Sequence, residues 1–331
     1  MHVSTWVWFV TLGGLIAILL VDLFVIGRRP HEPTTRESAL WVSLYVGLAV
    51  LFGLGILYFS GPGYAGEFYA GWLTEYSLSV DNLFVFVIIM ARFRVPRPYQ
   101  QKVLLVGIVL ALLMRGIFIA AGAAAIQRFI WVFYLFGAFL IYTAIKLALH
   151  RDDEEEYTEN ALVRWTRRVL PVSKDFHGAD ISTKVDGKRM FTPMLVVMIA
   201  IGTTDLLFAL DSIPAIFGLT KEPFLVFTAN VFALMGLRQL YFLIGGLLDR
   251  LVYLSIGLSI VLGFIGVKLI LEALHENNLS FLNGGEHINW IPTIPIWLSL
   301  TVIIGTLGLT TVLSLLKSRR DAKAEAITAA S

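Results

Sequence analysis

Four carboxylates lie inside apolar stretches of this chain, in two pairs of matched spacing. Glu75 and Asp81 stand in TEYSLSVDNLFVF, and Asp205 and Asp211 in TTDLLFALDSIPAIF. An ionised carboxylate in hydrocarbon costs several kcal/mol, so it persists there only where it faces a cavity, a partner or an ion. Thr74, Ser77, Ser79, Asn82, Thr203, Thr204 and Ser212 surround the four with further oxygens. Carboxylate, carbonyl, amide and hydroxyl oxygens without thiolate or imidazole suit hard divalent cations such as Mn²⁺, Mg²⁺ or Ca²⁺. Met90 and Met198 could add sulfur, although methionine in an apolar helix is chiefly packing. Asp22, in VDLFV, echoes VDNLFV at Asp81. It is either a further metal or pathway residue or an interfacial charge beside Arg28.

Four cations share these apolar stretches: Arg115, Lys146, Arg238 and Lys268. Each could neutralise one carboxylate, leaving a bundle held by buried ion pairs. A mixed role is favoured, in which they hold the acids while metal is absent and swing away when it binds. Glu67, Glu222, Asp249 and Glu272 lie nearer predicted span ends, where an exposed charge needs no special role.

The elements that must position these groups are membrane helices. The 331 residues are 57% hydrophobic and 15% charged, with a mean hydropathy of +0.77, too apolar for an ordinary soluble domain. The net charge of +2 leaves no basic footprint for nucleic acid. The absence of cysteine excludes disulfides, thiolate metal sites and thiol redox pairs within the chain. No Walker A loop, dinucleotide fingerprint or HExxH is present, and the histidines are scattered through tails and connections. An enzyme, a bound cofactor and ATP-driven transport are therefore not expected.

Apolar runs long enough to cross about 30 Å of hydrocarbon predict about nine transmembrane helices. They fall near 5–27, 39–60, 67–91, 103–123, 129–149, 193–218, 223–248, 251–274 and 293–316. The chain thus divides into N-terminal helices over 1–66, a three-helix unit over 67–149, a polar linker over 150–192, a second three-helix unit over 193–274, and an outer loop, last helix and tail over 275–331. The linker opens with the acidic run at 152–156 and carries a short amphipathic stretch from Leu162 to Leu170. Lysine and arginine concentrate in alternate connections, which places the N-terminus outside and the C-terminus in the cytoplasm. The first span, followed by Arg28 and Arg29, reads as a retained anchor.

The two units carry their charges in one order: Glu75, Asp81, Arg115 and Lys146, then Asp205, Asp211, Arg238 and Lys268. AIKLAL resembles GVKLIL, and LLMRGIF resembles LMGLRQL. With three spans each, the units must enter the membrane from opposite sides. Such inverted repeats recur in secondary transporters, with the substrate site near the midplane. Their third and sixth spans should cross antiparallel, with Glu75 level with Asp211 and Asp81 level with Asp205. Six residues of ideal helix leave two side chains roughly 120° apart. Interruptions are therefore expected, at Ser77 to Ser79 and at Pro214, whose missing N–H frees the carbonyl of Leu210.

The segments Thr74 to Phe86, Thr203 to Phe217 and ALMGLRQLYF from Ala233 to Phe242 resemble the signature segments of the TerC family, most closely its Alx-type members. The resemblance implies a place in the LysE-like transporter group and export of Mn²⁺ across the bacterial plasma (inner) membrane, beside an older association with tellurium resistance. It also implies that the family's acidic positions are Glu75, Asp81, Asp205 and Asp211, with Asp22 as a further membrane acid; Asn82, Ser77, Thr204 and Ser212 are candidate contributors by their oxygens alone.

The expected protein is thus an all-α polytopic secondary transporter, exporting Mn²⁺ or a similar hard divalent cation in exchange for protons. Its partners would be the metal ion, protons and the lipid bilayer. A non-transporting scaffold for metal loading or folding of exported proteins is the alternative of a different class. Handling of Ca²⁺ or of a tellurium oxyanion is another, since guanidinium groups suit oxyanions.

Overall fold

The computed structural model describes residues 3–27, 34–129, 131–149, 161–173, 175–176, 178, 180–185, 188–244, 253–277, 286, 288 and 290–328. The acidic run at 152–156 and Asp249 lie outside the described residues, as do the side chains of Asp22 and Asp81. The chain is an all-α membrane protein built from α1 (Thr5–Gly27), α2 (Thr35–Ser60), α3 (Pro62–Arg92), α4 (Arg97–Arg128), α5 (Val132–Leu149), α6 (Ala161–Val169), α7 (Pro193–Phe217), α8 (Pro223–Leu234), α9 (Leu237–Ile244), α10 (Leu254–His275) and α11 (Ile296–Thr328). A two-stranded antiparallel hairpin, β1 (Ser182–Val185) and β2 (Lys188–Phe191), joins α6 to α7, with Ser182 opposite Phe191.

Eight spans are long and apolar enough to cross a bilayer, α8 and α9 together forming one of them, and α1 adds a shorter apolar stretch over Thr5–Val21. Leu51, Phe59, Leu113, Ile117, Trp297 and Ile304 all lie exposed. Such continuous apolar surface is stable only against lipid or another apolar partner. The peripheral α2 and α11 are mostly uncovered, whereas the α8–α9 span is the most enclosed.

The linker is more ordered than its polarity suggests. Its amphipathic stretch forms α6, which turns Val163 and Thr166 inward and packs on α7. The hairpin was not expected. It carries the chain back to Thr192, whose backbone N–H donates to the carbonyl of Ile181 at 2.9 Å.

The two three-helix units are interleaved. α3 packs on α8 and α7 on α4; α5 packs on α10; α3 packs on α7. Exchanging the units maps this set of pairs onto itself, as a twofold relation requires. Individual contacts obey it too. A Cβ on Gly71 of α3 would stand 3.5 Å from Ala229 of α8, and one on Gly107 of α4 would stand 2.8 Å from Ile201 of α7. The offset that carries Glu75 onto Asp205 carries Gly71 onto Ile201. The offset that carries Lys146 onto Lys268 carries Gly107 onto Ala229. At the α5–α10 seam, a Cβ on Gly137 would meet the Gly266 carbonyl at 2.8 Å and one on Gly266 the Gly137 carbonyl at 2.9 Å. Backbones approach this closely only where side chains are absent.

Two expectations about helix interruption are corrected. α3 runs unbroken through Ser77 and Ser79, and α7 stays helical past Pro214 to Phe217. A proline so near the end of a helix disturbs only the last turn. The break falls instead in the seventh span, at Met235 and Gly236. Gly236 has φ +82°, and a Cβ there would meet the Tyr45 ring at 2.9 Å, so backbone conformation and space both select glycine.

Candidate functional site

α3 and α7 cross antiparallel. The Thr220 hydroxyl donates to Glu67 at 2.6 Å, Gly71 lies against Ile216, and Ser212 lies alongside Glu75. Numbers rise on one helix as they fall on the other. The crossing places one carboxylate from each unit in the interior: Glu75 is 0% exposed and Asp205 4%.

A single arginine joins them. Arg115, projecting from α4 and itself fully buried, donates from Nη1 to Glu75 Oε2 at 2.5 Å. Its Nη2 lies 3.9 Å from Asp205 Oδ1. Asn230 of α8 donates from Nδ2 to the same Oε2 of Glu75 at 3.0 Å. Two carboxylates and one guanidinium thus share an enclosed volume bounded by α3, α4, α7 and α8.

Several buried polar atoms on α3, α4 and α7 are unsatisfied. Glu75 Oε1, Asp205 Oδ2, Thr74 Oγ1, Ser79 Oγ and Ser212 Oγ have no hydrogen-bond partner among the described residues, nor have Arg115 Nε and Nη2. Each buried orphan costs about 1–3 kcal/mol, and native interiors carry few of them. A purely structural ion pair would be expected to use its second oxygens. These oxygens, from both repeat units, are the donor set a hard cation takes.

The other predicted residues divide. Ser212 lies beside Glu75. The hydroxyls of Ser77 and Thr204 donate to the carbonyls of Leu73 and Ala200 in their own helices, each at 2.7 Å, the usual fate of a hydroxyl facing along a membrane helix. Asn82 is buried one turn below Ser79. Asp211 is half-buried and turned toward α5, where Thr143 donates to its Oδ1 at 3.1 Å. Lys146, on the same helix, is exposed and acts on Asp211 through its charge. Arg238 is buried by the break in the seventh span, in a groove lined by Leu19, Leu105 and Leu112. Lys268 faces a different cavity, described below. Of the four cations, Arg115 alone reaches Glu75 and Asp205 among the described residues, joining acids expected at two different depths. The described residues hold no group of three acidic or histidine side chains that could bind a metal.

Asn230 was missed by the sequence reading. Its signal was an amide in the otherwise apolar run PFLVFTANVFAL, where polar side chains face the bundle interior. Thr143 gave no such signal, because a membrane threonine can satisfy itself on its own helix.

Residues 60–322 match the profile of the integral membrane protein TerC family. The chain belongs to the TerC family. It is 49% identical over 329 residues to the uncharacterized membrane protein Mb2742 of Mycobacterium bovis, covering 98% of this chain and 82% of that one. The chloroplastic thylakoid membrane protein TERC of Arabidopsis thaliana is 46% identical over 242 residues, 73% of this chain and 63% of the plant protein. The putative membrane-bound redox modulator Alx of Salmonella typhi is 35% identical over 322 residues, 94% of this chain and 95% of its own. No solved structure matches the chain. The TerC match takes in every residue of the α3–α7 crossing.

Proposed function

We propose that this TerC-family protein is a secondary transporter that exports a hard divalent cation, Mn²⁺ foremost, from the cytoplasm across the bacterial plasma membrane in exchange for protons. The observation that carries the reading is the α3–α7 crossing: one buried carboxylate from each inverted unit, a displaceable guanidinium between them, and hydroxyl and carboxylate oxygens without donors around them.

Arg115 holds Glu75 and Asp205 in the state described. A divalent cation entering from the cytoplasm brings two charges where the guanidinium brings one, and takes up the oxygens that Arg115 and Asn230 leave unused. Asp81 and Asp211, one turn and a half further along the same helices, are the adjoining carboxylates of the path. Rocking one unit against the other about the shared crossing opens the site to the opposite face. Protons arriving from outside neutralise the carboxylates, the cation leaves, and Arg115 returns. The clustering of arginine and lysine in alternate connections supports an external N-terminus and a cytoplasmic C-terminus.

Two other readings fit less well. An oxyanion would meet Glu75 and Asp205 beside Arg115, and like charges repel it. The Salmonella relative's name speaks of redox modulation. With no cysteine in this chain, thiol exchange cannot be its route, whereas a change in metal supply can.

The test is Mn²⁺ flux into or out of liposomes holding the purified protein, with and without an imposed pH gradient. Flux accelerated by the gradient and accompanied by counterflow of protons is expected. A correctly folded protein that binds Mn²⁺ but moves none would overturn transport and leave the scaffold. Flux indifferent to pH would overturn proton exchange alone.

A further inference from the structure

At the end of the crossing remote from the linker, the start of α3, the α7–α8 connection, the last turns of α10 and the start of α11 line a cavity of about 440 Å³. Four carboxylates line it, Glu67, Glu222, Glu272 and Glu276, against two ammonium groups, Lys221 and Lys268. One of these is already engaged: Lys221 Nζ lies 2.8 Å from Glu272 and 2.9 Å from Glu276. Lys268 is not. It is 8% exposed and lines the cavity. Among the described residues it makes neither a hydrogen bond nor an ion pair, although the charges of Glu272 and Glu67 act on it. Glu67 and Glu272 were expected to be plain exposed charges at span ends. Glu67 instead takes the Thr220 hydroxyl at 2.6 Å, which ties the mouth of α3 to the end of α7. These are the two helices of the central crossing, and Glu67 lies about 12 Å along α3 from Glu75.

The Lys268 side chain is enclosed, yet its ammonium stands at the wall of a cavity with no direct contact to a carboxylate among the described residues, where a packed apolar residue would cost less. The charges of Glu272 and Glu67 act on it across that space, which gives Lys268 the part of a tethered counter-ion. We propose that this vestibule is a second cation station, where a divalent cation that keeps much of its hydration shell rests between Glu67 and Glu272 and displaces the Lys268 ammonium. Hard divalent cations are commonly held this way, through one or two carboxylates and retained water. The station deepens the transport reading and rests on it for the direction of travel: the cation reaches the vestibule after leaving Glu75 and Asp205, and Lys268 swings back to expel it outward.

The experiment is a titration of Mn²⁺ into the full-length protein in lipid nanodiscs, followed by loss of the free-ion paramagnetic resonance signal. The wild type is expected to show a weaker class of bound Mn²⁺ that survives in the triple variant Glu75→Gln, Asp205→Asn, Arg115→Gln, which leaves none of the three charges unpaired. That class should weaken roughly tenfold in Glu67→Gln, which loses one charge at short range, and tighten by a similar factor in Lys268→Gln. The opposite sign in Lys268→Gln guards against misfolding, which cannot tighten a site. A wild type without the weaker class, a class unmoved by both vestibule variants, or one lost with Glu75 and Asp205 would each overturn the proposal. Failure of the transport reading is distinct: it shows as absent flux in liposomes while the weaker class remains.

Discussion

Glu75 and Asp205 share Arg115 unequally, and that asymmetry can be measured. The guanidinium is 2.5 Å from Glu75 and 3.9 Å from Asp205. At an effective dielectric of about 20, the gross attractions are about 7 and about 4 kcal/mol. Glu75 also accepts from Asn230, whereas no hydrogen bond reaches Asp205 Oδ2 among the described residues. Desolvation offsets much of each attraction in the intact protein. Removing one partner, however, leaves the other charge buried, and that costs about 3–5 kcal/mol for a close pair. Glu75→Gln should therefore destabilise the protein by about that amount, and Asp205→Asn by roughly half of it. Combining Glu75→Gln and Asp205→Asn with Arg115→Gln should recover most of the loss, because no unpaired charge then remains among the three. Both single variants should lose Mn²⁺ flux. The assay is reversible denaturant unfolding in mixed micelles, run on the single and triple variants, with flux measured on the same preparations. Equal destabilisation by the two single variants, or a triple variant no better than Glu75→Gln, would refute the unequal sharing. Full flux in Asp205→Asn would remove Asp205 from the site.

Replacing Asp211 or Asp81 with Asn should abolish Mn²⁺ transport while membrane insertion and folding persist, since the amide keeps the shape and can still accept from Thr143; normal flux from both variants would show that these acids are not on the path. A cysteine pair at Ala144 and Gly263 should oxidise to a disulfide, because a Cβ on Gly263 lies 3.6 Å from that of Ala144, within the range such a bond needs. The chain has no other cysteine, so a thiol-alkylation shift on gels reads the bond directly, and free thiols after oxidation would contradict the α5–α10 register. Gly236→Ala, placing a side chain at positive φ against Tyr45, should cost about 1–3 kcal/mol in the same unfolding assay, and a neutral result would mean that the break in the seventh span relaxes.

Much of the architecture was legible in the sequence because the bilayer fixes helix length and forbids unpaired backbone. Apolar runs alone placed the spans to within a few residues, and the ordered recurrence of acids, arginine and lysine located the inverted repeat. Glu75 and Asp205 stood out because a carboxylate in hydrocarbon needs a reason. Even the amphipathic helix of the linker was visible in its period.

What the sequence left open was rotation and register, which depend on how closely each pair of backbones can approach. Gly71, Gly107, Gly137 and Gly266 let α3 meet α8, α4 meet α7 and α5 meet α10 at close distance, and those approaches set the rotation that brings Arg115 and Asn230 to Glu75 and Lys268 to the vestibule. Four intramembrane cations were equivalent candidates in the sequence, and packing chose Arg115. Ser77 and Thr204 were equivalent to Ser79 and Ser212, and the helix backbone claimed the first two. The break at Gly236 was hidden because one glycine in an apolar run reads as a small contact residue until its neighbour Tyr45 is in place. Sequence alone therefore determined that the chain is an all-α polytopic membrane protein and that carboxylates such as Glu75 and Asp205 need enclosure. Only the tertiary structure decided which of them meet, because a helix presents every side chain to some neighbour and only close packing says to which.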